Sequence, residues 1–102
     1  MIESAWNSIE TYFSKTGKHL NLKTLFNDSN RFKDFSLTFE SETTRLLFDF
    51  SKNLITKETL SLLEKLLVDS DFYKIRQAMF NGDLINYTEN RPVLHVALVY
   101  LL

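Results

Sequence analysis

The chain has 102 residues, with 12 lysines and arginines against 13 aspartates and glutamates and a net charge of -1. This length fits one domain or part of one and excludes a multidomain enzyme. A hydrophobic fraction of 44%, with two glycines and one proline, excludes intrinsic disorder and collagen-like repeats. The absence of cysteine excludes disulfides and cysteine-ligated zinc, and it fits a reducing compartment.

The distribution of charge and apolar residues limits the expected partners. Residues 1–52 carry seven basic and seven acidic side chains, and residues 53–102 carry five and six. We expect no nucleic-acid partner, because phosphate backbones select a concentrated positive field. The longest apolar run, Val93 to Leu102, is about half of the roughly 20 residues that span a bilayer, so it predicts a buried segment and no membrane partner. The N-terminal residues lack the basic flank and apolar core of a signal peptide.

The first third of the chain has helical patterns. Apolar residues at helical spacing predict an amphipathic helix from Ser4 to Phe13 that ends near Gly17. A second short helix is predicted from Leu20 to Phe26, with Asn21 as its N-cap. The polar residues 27–30 are expected to close this helix.

The middle of the chain changes to a two-residue period. Apolar and polar residues alternate from Phe35 to Phe39, and a second apolar run, residues 46–50, follows a polar turn at residues 40–44. This pattern predicts a β-hairpin. Because residues 46–48 are consecutive and apolar, the second strand either is covered on both faces or has its first residues at the edge of a larger core. Its acid, Asp49, is expected to be exposed or paired.

The helical period then returns. Thr56 is a suitable N-cap for a helix whose apolar face consists of Leu60, Leu63, Leu67 and Val68. Residues 69–71 interrupt this helix. A further helix is predicted from about Asp71 to Asn81, ended by Gly82 in a left-handed conformation.

Two segments carry a family resemblance. Residues 48–56 read FDFSKNLIT, and residues 79–98 read MFNGDLINYTENRPVLHVAL. Together they resemble the N-terminal part of the glucose-6-phosphate isomerases. The residues that match the first motif are Asp49, Ser51, Lys52 and Asn53. Those that match the second are Phe80, Gly82, Ile85, Asn86, Thr88, Glu89, Arg91, Val93, Leu94, His95, Ala97 and Leu98. The chain departs from the family pattern at Pro92 and Val99.

The resemblance implies an α/β fold: N-terminal helices, a β-hairpin and further helices, forming an incomplete part of the sugar-isomerase α-β-α sandwich. It implies that the chain is part of a cytoplasmic, homodimeric enzyme. That enzyme would interconvert glucose 6-phosphate and fructose 6-phosphate in glycolysis and gluconeogenesis, without metal or organic cofactor. The catalytic groups of that family lie C-terminal to anything in this chain. Residues 1–102 are therefore expected to be a single N-terminal segment that is inactive alone, with sugar phosphate bound only in the full-length enzyme.

A second interpretation stays open. The chain could be a stand-alone, non-catalytic remnant that acts as a protein-interaction module. Either way, no residue is assigned a catalytic, substrate-binding or metal-binding role. His19 and His95 lack a second ligand at helical spacing, which is why no metal site is expected.

The motif residues are expected to have structural roles. These residues are Lys52, Asn53, Asn86, Thr88, Glu89, Arg91 and His95. For Glu89 and Arg91 an alternative stays open: they support the active site of the full-length enzyme. Lys52 is expected to be solvated and His95 to face the core. A last helix is expected to start with Thr88 or Asn90 as its N-cap, so that Glu89 interacts with the helix dipole. The aromatic residues are mostly core, and we expect the chain to be too short to cover its apolar groups.

Overall fold

The computed structural model describes residues 2–98, and of Leu98 only the backbone. The chain forms helix α1 (Ile2–Lys15), a 3-10 turn (Gly17–His19), two one-turn helices, α2 (Leu22–Leu25) and α3 (Arg31–Asp34), strands β1 (Ser36–Glu40) and β2 (Arg45–Asp49), helices α4 (Lys57–Asp69) and α5 (Phe72–Asn81), and a 3-10 turn (His95–Leu98). The fold is mixed α/β, as predicted.

Helix α1 packs against α4, although the two short helices and the hairpin separate them in the sequence. Ala5, on the inner face of α1, is 1% exposed. Near the other end of α1, the Tyr12 hydroxyl lies 2.8 Å from Thr56 Oγ1 and accepts a hydrogen bond from Thr59 Oγ1 at 3.0 Å. The predicted amphipathic helix is confirmed. The Tyr12 hydroxyl connects it by hydrogen bonds to the start of α4.

The predicted caps are confirmed. The side chain of Asn21 caps α2 by accepting from the Lys23 N–H at 2.9 Å. Thr56 and Thr59 form a reciprocal capping box at the start of α4. Gly82 ends α5 with φ at 78°, in the left-handed region that glycine adopts without a Cβ penalty. Helix α3 was not predicted, because a single turn is too short to show a period.

Strands β1 and β2 form an antiparallel hairpin, as predicted. The register places Leu37 opposite Phe48 and Phe39 opposite Leu46. Residues directly opposite each other share a face, so these four apolar side chains lie on one face of the sheet. Of the two alternatives for β2, coverage on both faces is wrong for the described chain: every β2 residue is exposed, and Leu47 lies on the other, mostly polar face.

The expected last helix is also wrong within the described residues. Asn86 and Arg91 pair as an isolated antiparallel bridge, and Asn90 has φ of 51°. A residue in that left-handed conformation closes a turn instead of opening a helix. Only the His95–Leu98 3-10 turn follows.

The apolar run that was expected to be buried is partly exposed, since Leu94 is 54% exposed. That side chain lines an apolar pocket with Met79 and Phe80 at the end of α5, and these residues cover only part of it. The end of this run, residues 99–102, lies outside the described residues.

The described chain is open and thin. Its radius of gyration is 18.0 Å and its smallest dimension is 17 Å, whereas a compact domain of 100 residues has a radius of gyration of about 13 Å. Among residues 2–97, only Ala5 and Phe35 are buried apolar residues. The predicted incomplete burial is confirmed. None of the helices within this range is long and apolar enough to cross a bilayer.

Candidate functional site

The first group of motif residues lies in the loop that follows β2, and a buried arginine holds that loop. Arg31 is 3% exposed and donates to three backbone carbonyls. Its Nε–H bonds Ser51 O at 2.7 Å, its Nη2 group bonds Asn53 O at 2.8 Å and its Nη1 group bonds Ile55 O at 3.1 Å. Charge-assisted bonds of this kind are stronger than neutral ones. Arg31 therefore fixes the path of the backbone from β2 to α4.

Aromatic rings enclose the same guanidinium group. Its central carbon lies 4.5 Å from the ring centroid of Phe35 and 5.6 Å from that of Phe26, both within cation-π range. Phe35 also packs edge-on against Phe50 at 6.0 Å. Phe35, one of the two buried apolar residues of the described chain, is therefore part of this site.

Asp49 and Ser51 form the polar part of this loop. Asp49 Oδ1 accepts from the Ser51 hydroxyl at 2.6 Å and from the Ser51 N–H at 2.9 Å. The hydroxyl bond, followed by the N–H bond, holds the pKa of the Asp49 carboxyl below its ordinary value. Lys52 Nζ lies 3.4 Å from Asp49 Oδ2. Asp49 is therefore paired, one of the two outcomes expected for it.

The two predicted motif residues of this loop differ in what they contribute. The side chain of Lys52 is 77% exposed. Asn53 is also exposed, and its backbone carbonyl is the group that Arg31 binds. The backbone of the loop is therefore bound from the interior, whereas the side chains of Lys52 and Asn53 are exposed to solvent.

The second group of motif residues forms one compact turn. Asn86 and Arg91 exchange backbone hydrogen bonds at 3.1 and 3.3 Å. Asn86 Oδ1 accepts from the Thr88 hydroxyl at 2.8 Å and from the Glu89 N–H at 3.2 Å. Glu89 in turn accepts from Asn86 Nδ2 at 3.1 Å and from Arg91 Nε at 2.6 Å, and its carboxylate is ion-paired with Arg91. Four of the predicted residues are thus brought together.

His95 does not face a core. It is exposed at the start of a 3-10 turn, so the expected core-facing position is wrong for the described chain. Its apolar neighbours in sequence suggested burial, but a 3-10 turn at the edge of the fold has no layer packed over it. Among residues 2–98, no hydrogen bond or ion pair joins the turn at residues 86–91 to the loop after β2.

One groove on the described surface is a poor site for a sugar phosphate. It is an apolar groove of about 610 Å³ between α1 and the end of α4. Its lining residues are Ile2, Glu3, Trp6, Asn7, Leu66, Leu67 and Ser70. A phosphate needs cationic or N–H donors, and this lining contains no basic side chain. The described residues also include no group of three histidine, aspartate or glutamate side chains that could hold a metal ion.

Arg31 is the functional residue that sequence reasoning missed. Its three acceptors lie 20 to 24 residues further along the chain, so no local spacing signals the contact. In the described structure, the carboxylates of both groups are hydrogen-bonded and ion-paired, and the Arg31 guanidinium is bound to carbonyl oxygens.

Comparisons with known proteins agree on one family. The family model described as phosphoglucose isomerase matches residues 49–100, which includes both motifs. A glucose-6-phosphate isomerase of Aspergillus oryzae is 45% identical over 98 residues, covering 93% of this chain and 18% of that relative. Those of Kluyveromyces lactis and Buchnera aphidicola are 44% and 46% identical, over 92% of this chain and 17% and 16% of their own lengths.

The chain thus spans less than a fifth of the length of these curated relatives. The similarity nevertheless covers nearly all of its own residues, including the helices and hairpin that precede the two motifs. The chain belongs to the phosphoglucose isomerase family.

Proposed function

We propose that the chain corresponds to the N-terminal part of a glucose-6-phosphate isomerase. The enzyme would reversibly convert glucose 6-phosphate to fructose 6-phosphate in glycolysis and gluconeogenesis. It would act in the cytoplasm as a homodimer, without metal or organic cofactor and without nucleic-acid or membrane partners. The observation that carries this proposal is the identity of 44 to 46% over more than nine tenths of the chain to enzymes of that name.

Within that enzyme, the chain contributes scaffold. Isomerisation through an enediol needs a base beside the substrate carbon and an acid for ring opening. Two described carboxyls have a lowered pKa: Asp49 through its Ser51 hydrogen bonds and Asp69 through its hydrogen bond from Lys65. Both are ionised and already engaged at neutral pH. We assign no catalytic or substrate-binding residue to this chain, and we give the motif residues at positions 52, 53, 86, 88, 89, 91 and 95 structural roles.

The alternative of a stand-alone interaction module has less support. A module that kept only a binding surface would need similarity to the enzymes mainly in its packed parts. The matched region instead covers 93% of the chain, at 45% identity, and therefore includes exposed loops as well as helices. The exposed apolar side chains fit an isomerase segment equally well, since such a segment has neighbours in the full enzyme.

The proposal is tested by assaying the purified 102-residue chain with fructose 6-phosphate, using a coupled reaction that detects glucose 6-phosphate. The intact Aspergillus oryzae enzyme is the positive control. We expect no turnover above the blank, because the proposal places the base and the acid of the reaction in the part of the enzyme outside this chain. Turnover that follows the concentration of the purified chain contradicts the proposal that the catalytic groups lie elsewhere in the enzyme.

A further inference from the structure

The hairpin has one apolar face that nothing described covers. Its four large side chains are Leu37, Phe39, Leu46 and Phe48, exposed by 65, 55, 47 and 55%. The other face carries Ser36, Thr38, Glu40, Arg45, Leu47 and Asp49, and five of these six are polar. Antiparallel sheets with this alternation are packed on one side and solvated on the other. The pattern is that of a half-buried sheet whose second layer is missing.

We propose that this apolar face is a docking surface for the remaining polypeptide of the isomerase. The inference rests on the proposed function. In the relatives, more than four fifths of the chain lies outside the part matched here. The rest of such a polypeptide is long enough to supply a covering layer, and the thin, open shape of residues 2–98 leaves room for it.

The size of the face defines what fits on it. Two strands about 4.8 Å apart and five residues long give a surface about 10 Å wide and 17 Å long. An α-helix is about 10 Å in diameter and rises about 1.5 Å per residue, so roughly three turns cover this face. The expected occupant is a segment of that length with one apolar side. It needs no charged residues at the contact, because the four side chains of the sheet face are uncharged.

A second copy of the chain fits less well. The face consists of four large side chains, whereas each partner of a stable interface contributes about 20 to 30 residues. Association of two separate molecules also loses translational and rotational freedom. A segment of the same polypeptide avoids most of that loss, which is why so small a face is suited to a covalently connected occupant.

The test uses two neighbouring positions with matched exposure. Phe48 lies on the apolar face and is 55% exposed, and Leu47 lies on the opposite face and is 58% exposed. The sequence has no cysteine, so F48C and L47C each give the chain one thiol. The same substitutions are made in a chimera, in which this chain replaces the matching 98 residues of the Aspergillus oryzae enzyme.

Reaction with a maleimide probe is then timed in both proteins. In the 102-residue chain, we expect the two thiols to react at similar rates. In the chimera, we expect the F48C thiol to react at least about tenfold more slowly than the L47C thiol, because reaching it requires opening of the covering layer. The chimera without added cysteine gives the background from the thiols of the enzyme itself.

Equal rates for F48C and L47C in the chimera overturn the proposal. Protection of F48C in the 102-residue chain that grows with its concentration overturns it too, since the occupant would then be a second copy. If F48C abolishes isomerase activity in the chimera, L46C on the same face replaces it in the comparison. Activity of the unsubstituted chimera is read separately: an inactive chimera contradicts the proposed function, whereas an active chimera with equal thiol rates contradicts only this inference.

Discussion

Arg31 donates its Nε–H to the carbonyl oxygen of Ser51 at 2.7 Å, although the two residues are 20 positions apart. Both are buried, at 3% and 1% exposure. This contact connects a one-turn helix to the loop after β2, and that loop carries the first family motif. The structure therefore makes one arginine responsible for the conformation of the motif loop.

Replacing Arg31 is expected to destabilise the chain strongly. R31M leaves three inward carbonyls without their charged donor, and we expect a loss of about 2 to 4 kcal/mol in the free energy of unfolding. R31K keeps the charge but cannot reach three separate carbonyls, so it recovers only part of the loss. Urea unfolding of the purified chain measures both. K33M, on the exposed side of the same helix, is the control, and an R31M midpoint equal to that of K33M contradicts the role given to Arg31.

The hydroxyl of Tyr12 is expected to contribute to the packing of α1 on α4. It lies 2.8 Å from Thr56 Oγ1 and accepts from Thr59 Oγ1 at 3.0 Å. Y12F removes these bonds and keeps the ring, at an expected cost of about 1 kcal/mol. Y73F is the matched control, because within residues 2–98 the Tyr73 hydroxyl makes no hydrogen bond. Equal unfolding midpoints for Y12F and Y73F would show that the hydroxyl is dispensable.

Asp49 is expected to give the chain an acid-dependent contribution to stability. Its pKa is lowered from 3.8 in the folded chain, first by the hydroxyl of Ser51 and then by the Ser51 N–H. The folded state therefore binds a proton less readily than the unfolded state. The stabilisation is complete above pH 3.8 and disappears as the pH falls through the lower folded pKa.

This dependence is measured by comparing the wild-type chain with D49N in urea at a series of pH values. The difference in stability is expected to be constant between about pH 5 and pH 7 and to shrink below the ordinary carboxyl pKa. E42Q, in the turn of the hairpin, controls for the loss of a negative charge. A D49N difference that does not change with pH shows that the ionised carboxylate is not the stabilising form.

Gly82 is expected to be required for its backbone conformation alone. Its φ is 78°, and a Cβ built on it meets no atom within 4 Å. G82A is therefore expected to cost about 1 kcal/mol through backbone strain, with no steric clash. G82N is expected to cost less, because asparagine tolerates the left-handed region. Thermal unfolding ranks the two variants, and G82A as stable as the wild type would contradict the strain.

Much of the fold follows from local patterns in the sequence. The two-residue period of residues 35–39 predicted the hairpin, and Asn21 and Thr56 marked the starts of their helices. Helix α3 and the contacts of Arg31 could not be predicted in this way. A one-turn helix has no period, and the three carbonyls meet the guanidinium only after the chain has folded back on itself.

The candidate site was also predicted only in part from the sequence. The resemblance identified both motifs, and Asn86 to Arg91 are brought together in one turn. The expected last helix was wrong because Asn86 Oδ1 accepts hydrogen bonds from the Thr88 hydroxyl and the Glu89 N–H. These bonds hold the residues in a turn. The position of His95 was wrong because apolar neighbours in sequence indicate burial only when another layer packs against them.

The central claim is that this chain is an isomerase segment that supplies scaffold and no chemistry. The most direct test is the activity of the chimera with the Aspergillus oryzae enzyme, measured as kcat/KM for fructose 6-phosphate beside the parent enzyme. Because the chain would replace only scaffold, we expect kcat/KM within about tenfold of the parent, which corresponds to less than about 1.4 kcal/mol in the activation barrier. A folded, dimeric chimera without turnover would show that the replaced segment carries catalytic groups that this chain lacks, and it would contradict the claim.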